Sequence, residues 1–73
     1  MTRAVTGHFT SVEQVDMAMR ELLEMGFAAE SLSRMPGADG GTALTVVAGA
    51  RETEAMAIMA RHGAESIAKQ EGQ

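Results

Sequence analysis

His8 and His62 are the only side chains of this chain that exchange a proton near neutral pH. As a metal or proton-transfer pair they would have to converge with a carboxylate. The expected elements keep them apart: His8 sits in a strand-like alternation and reads as an outward-facing strand residue. His62 closes a helical run, where a cation is favoured by the negative end of the helix dipole. Other chemistry-bearing sets fail in the same way. Gly37, Gly40 and Gly41 are not followed by Lys-Ser/Thr, and a strand rather than a helix comes next, so they do not build a phosphate cradle. Glu21 and Glu24 fall on a helix face expected to be solvated, which is not where a paired acid and base would work. The chain has no cysteine, which removes disulfides and thiolate metal sites. No nucleophile–base or acid–base set remains, so the expectation is a non-enzyme with no catalytic residue, no metal and no cofactor.

Methionine is the other unusual feature, at seven of 73 residues, while Phe9 and Phe27 are the only aromatics. Met19 and Met59 fall on apolar helical stripes and read as core fillers. Met17 points roughly 160° away from Met19 on a helical wheel, and Met25 and Met56 lie at stripe borders. Exposed methionine makes an adaptable contact surface. Met17 and Met56 are therefore the candidate partner-surface residues, with an isolated exposed apolar residue the plainer reading of Met17.

The elements that must position these residues repeat. Twice the chain runs strand, helix, glycine, strand. Residues 3–9 alternate, with Val5, Gly7 and Phe9 inward and Ala4, Thr6 and His8 outward. Gly7 inside a strand points to close approach by another element. Helix 1 is expected over 11–25, capped by Thr10 with Glu13 or by Ser11 with Gln14. Its buried stripe is Val12, Val15, Met19, Leu22 and Gly26, within about 80° on the wheel. Gly26 is placed to end it in a left-handed turn with Phe27 packing back. Strand 2 is expected over 31–35, with Leu32 inward. The stretch Met35–Gly41 reads as a mobile hairpin loop carrying Pro36, Gly37, Asp39, Gly40 and Gly41. Strand 3, over 42–48, is β-branched and uncharged, hence central, with Leu44, Val46 and Ala48 inward. Helix 2 follows over 51–62 with Ala55, Ile58, Met59 and His62 on one side, and Gly63 repeats Gly26. A short edge strand over 65–69 ends the domain, and residues 70–73 read as a tail.

A tandem β-α-β of this length is a ferredoxin-like βαββαβ sandwich, an α+β domain with two helices on one face of a four-stranded antiparallel sheet. Seventy-three residues make one such domain. The net charge of −4, with its six basic residues scattered, argues against nucleic acid or an anionic membrane as partner. The N-terminus lacks a signal-peptide stretch and no run is long enough to span a bilayer, so a soluble, intracellular protein is expected. Within the fold class, RNA-binding sheets need aromatics on strands 1 and 3, where this chain offers Thr6, His8, Thr45 and Val47. Those four residues instead mark a small, nearly uncharged open face that can pack flat against a copy of itself. A homo-oligomer, with a dimer favoured, is the expected state.

The stretch Val5-Thr-Gly-His-Phe-Thr-Ser-Val-Glu-Gln-Val15 resembles the opening of the small bacterial general-stress-protein domains, the heat-induced stress protein group. Leu22-Leu-Glu-Met-Gly-Phe27 is similar to that group's helix end, Ser31-Leu-Ser33 to its second strand, and Arg61-His-Gly-Ala-Glu-Ser-Ile67 to its closing turn. The resemblance covers roughly residues 4–68 and implies the ferredoxin-like fold and a bacterial cytoplasmic setting. It supplies no catalytic residue. The longer glycine-rich or repeated second half of many relatives is not found here. Together these readings give a small stress or regulatory protein that self-associates through its sheet and holds an unidentified protein partner. The alternative is a small-ligand sensor whose pocket lies between protomers.

Overall fold

A computed structural model describes residues 3–37 and 41–71, the last two by backbone alone. The order is β1 (Arg3–Phe9), α1 (Val12–Glu24), β2 (Leu32–Pro36), β3 (Thr42–Val47), α2 (Glu52–Arg61) and β4 (Ser66–Glu71), with single 3-10 turns at Ala29–Ser31 and Gly49–Arg51. The four strands form one antiparallel sheet in the order β2-β3-β1-β4. This is the ferredoxin-like α+β arrangement expected from the repeat, with β3 and β1 central and β4 at an edge.

Both helices stop by the same device. At the end of α1, Phe27 N–H donates to Leu22 C=O at 3.0 Å and Gly26 N–H to Leu23 C=O at 3.1 Å. At the end of α2, Ala64 N–H donates to Met59 C=O at 3.1 Å and Gly63 N–H to Ala60 C=O at 3.2 Å. These are two Schellman motifs, and each turns on a glycine in the left-handed region, Gly26 at φ 96° and Gly63 at φ 91°. At the start of α1 it is Ser11 that caps: its hydroxyl accepts from Gln14 N–H at 3.3 Å.

The core lies between the sheet and the helices. Val5, Phe9, Leu44 and Val46 meet Val15, Ala18, Leu22, Ala55, Ile58 and Met59, with Phe27 sealing one end. Gly7 makes this contact close: a Cβ there would sit 2.8 Å from Met59 Sδ, so the strand lacks a side chain where the helix presses on it.

Four expectations are corrected. Val12 is 55% exposed instead of buried, at the first residue of α1 and beside a surface groove with Arg34, Pro36 and Thr42, while Ala18 takes a core position. Pro36 belongs to β2, opposite Thr42, and not to the loop. Residues 70 and 71 extend β4, opposite Ala4 and Arg3, and are not tail. Residue 51 precedes α2 in a 3-10 turn. The mobility expected at Asp39 and Gly40 lies outside the described residues; Gly37 N–H donates to Gly41 C=O at 2.7 Å across the base of that connection.

Candidate functional site

Strand register assembles the open face. Residues paired across antiparallel strands share a side of the sheet. One row therefore runs Met35, Ala43, His8, Ser66 across β2-β3-β1-β4, and the next runs Ser33, Thr45, Thr6, Ala68. A third holds Val47 and Ala4 on the central strands, opposite Gln70. The expected face residues Thr6, His8, Thr45 and Val47 are thus brought together. None of the described side chains on it is Asp, Glu, Lys or Arg.

At its centre Thr6 Oγ1 and Thr45 Oγ1 lie 3.0 Å apart, one hydroxyl donating to the other across the strands. That bond satisfies one donor and one acceptor of the pair, which lowers the cost of covering it. Around them the relief is uneven. Met35 and Val47 stand out, 61% and 47% exposed, and His8 is exposed, whereas Ala4 is covered by its neighbours. Met35 follows Ser33 onto this face by the alternation that turns Leu32 inward, opposite Ala43.

His8 also borders a cleft of ≈ 490 Å³ at one end of the sheet, lined by Phe9, Thr10, Gly37, Gly41, Thr42, Glu65 and Ser66 as well. Among the described residues its lining is rich in hydroxyls and backbone and includes one carboxylate, Glu65, but no Lys or Arg. His62 is elsewhere, at the end of α2, so the two histidines do not converge. Among the described residues no group of three His, Asp or Glu is placed to hold a metal ion.

The helix side is held by ion pairs. Glu21 is only 24% exposed in its side chain, a correction to the solvated position expected. Its Oε1 accepts from His62 Nε2 at 2.7 Å and its Oε2 from Arg61 Nη2 at 2.6 Å, tying α1 to the end of α2. Arg51 makes a second tie. It stacks 4.1 Å from the Phe27 ring centroid, donates to Met25 C=O at 2.7 Å and grips Glu54 through two nitrogens at 2.7 and 3.3 Å. Hydrogen bonding to Glu54, and then its charge, raises the Arg51 pKa against partial burial; the same hydrogen bonding, followed by the charge of Arg51, lowers Glu54. A third pair, Arg34 Nη1 to Asp16 Oδ1 at 2.6 Å, joins β2 to α1 at the surface. The Glu21 and Arg34 contacts join helix to helix and helix to strand, and Arg51 links the end of α1 to the start of α2.

Met17 and Met56 part company. Met17 is 56% exposed beside a shallow groove with Met25, Arg20, Glu24 and the Glu21–His62 pair. Met56 is half-buried and packs against the core. They do not form one exposed patch.

No helix among the described residues is long and apolar enough to cross a membrane. Comparison with protein-family models and with curated protein sequences finds no match to this chain.

Proposed function

We propose that this protein acts by binding, through self-association of its open sheet face, as a small stress or regulatory protein of the bacterial cytoplasm. The observation that carries the reading is the face itself: ten described side chains in three rows, none of them formally charged, on a chain of net charge −4. A copy of the same surface meets it without like-charge repulsion, and its central hydroxyls are already paired. At about 4.8 Å between strands and about 3.4 Å per residue the sheet face spans about 400 Å² in projection. That is about half the ~800 Å² per partner of a standard interface, which places the dimer among weak, reversible ones. The helix side, with Met17 exposed, is left for a protein partner. The similarity of residues 4–68 to general-stress-protein domains supports the setting. The acidic charge and scattered basic residues speak against nucleic acid.

Size-exclusion chromatography with light scattering tests this. The mass should rise with concentration from 7.7 kDa towards twice that value. Thr45→Lys, which places an unpaired charge in the contact, should hold the chain monomeric with unchanged circular dichroism. A monomer at every concentration rejects the proposal.

The cleft beside His8 favours a second reading, a sensor of a small polar ligand. Its ≈ 490 Å³ falls within the range of ligand pockets. Reproducible thermal stabilisation by one compound in a metabolite screen, lost in Ser66→Leu, would support it. A flat screen would reject it.

A further inference from the structure

Two rows of the open face alternate large and small side chains between neighbouring strands; the inference rests on the self-association proposed above. Consider a two-fold axis lying between two such sheets, parallel to the strands, over the line between β3 and β1. It places β3 of one copy over β1 of the other, and β2 over β4, and it keeps every row in step. Two sheets of the same twist related in this way follow one another's curvature and lie face to face about 10 Å apart.

Under that operation each large side chain meets a small one. Register pairs His8 with Ala43 in one chain, so across the axis His8 faces Ala43 of the second copy. Met35 faces Ser66, and Val47 faces Ala4. The central Thr6 and Thr45 face each other's counterparts. The three most prominent described side chains of the face, Met35, Val47 and His8, thus each find a short one opposite. The competing two-fold, perpendicular to the strands, would leave Met35 beyond the last residue of the facing β2, because Ser31 is already in a 3-10 turn. We infer that the homodimer forms about the strand-parallel two-fold, with His8 of each copy seated over Ala43 of the other.

A pair of complementary variants tests the contact. Ala43→His sets imidazole against imidazole at both symmetric contacts and overpacks them. His8→Ala sets methyl against methyl and leaves both loose. Mixed, the two chains restore one large-over-small contact at each of the two equivalent sites. At about pH 8, where imidazoles are neutral, native mass spectrometry of the equimolar mixture should show the heterodimer favoured at least about tenfold beyond its statistical share, a coupling of the size contacting residues show. Each variant is first checked alone by circular dichroism. If Ala43→His fails to fold, Ala43→Leu mixed with His8→Ala serves, with the same expectation. A statistical mixture, given a wild-type chain that dimerises, overturns the strand-parallel geometry and leaves self-association standing. A wild-type chain that stays monomeric removes both.

Discussion

The Arg51 guanidinium works on three groups at once: the Phe27 ring below it, the carbonyl of Met25 at the C-cap of α1, and the Glu54 carboxylate in the first turn of α2. Arginine suits this place because its planar fork stacks on an aromatic face while its edge donates. The pairing has a pH signature. The lowered Glu54 pKa means that its contribution is complete above the ordinary carboxylate range and is lost as pH falls through that lowered value. Both side chains are about 40% exposed, 39% and 42%, so solvent screening keeps the effect small. Glu54→Gln should flatten the acid limb of the thermal midpoint against pH and leave the neutral plateau nearly level. An unchanged acid limb would show that the pair contributes nothing. Composition could mark Arg51 only as one of six basic residues, since the Phe27 ring reaches it through the fold and not through sequence spacing.

Gly63 is a second residue with a clear expectation. Its φ of 91° is a conformation that side-chain-bearing residues adopt only at a cost of about 1–2 kcal/mol. A Cβ there would also lie 2.6 Å from Gln14 Nε2, but that is the far end of a long side chain. Gly63→Ala should therefore lose about 1–2 kcal/mol in urea denaturation, and adding Gln14→Ala should recover little of it. Full recovery would mean that contact, not backbone, makes the glycine necessary.

Between elements, the closest fit joins β1 to α2. Met59 is fully buried and its sulfur occupies the space a Gly7 side chain would need. Gly7→Ala should destabilise by about 1–3 kcal/mol through overpacking. In a double-mutant cycle Met59→Ala should cancel most of that increment, because the two positions share one space. Additive costs would contradict this packing. The helices themselves were legible in detail, from the Gly26 and Gly63 stops to the Ser11–Gln14 cap that was one of two registers open. Val12 was not, since the first turn of a helix follows the wheel without being under the core. Glu21 was not either: its wheel position is outward from the sheet, yet α2 crosses there and brings Arg61 and His62 to it. Periodicity reports which side of a helix meets a sheet, and is silent on a second helix alongside.

At the scale of the molecule, the repeat in the sequence disclosed the layers because each half carries its own strand, stripe and stop. The site was half disclosed. Alternation separated Thr6, His8, Thr45 and Val47 from the core, but which residues oppose one another depends on strand register, and register also sets Met35 opposite Ala43. It further places the two His8 side chains of the proposed dimer in one row, about one strand spacing apart. Ala43 and Ser66 flank each of them in its own sheet, and Ala43 of the copy covers it. His8→Asp, which carries a formal charge into that contact, should weaken association at least about tenfold in light scattering, because a charge covered without a partner is costly. His8→Asp associating as the wild-type chain does would show that His8 is not covered.

The most direct measurement is a dilution series of amide NMR spectra on the wild-type chain. Concentration-dependent shifts should gather on β1 and β3 around Thr6, His8, Ala43, Thr45 and Val47, reach Met35 and Ser66 at the edges, and spare the outer surfaces of α1 and α2. Shifts centred on Met17 and Met25, or spectra that do not change with concentration, would mean that the open face of the sheet is not where this protein binds.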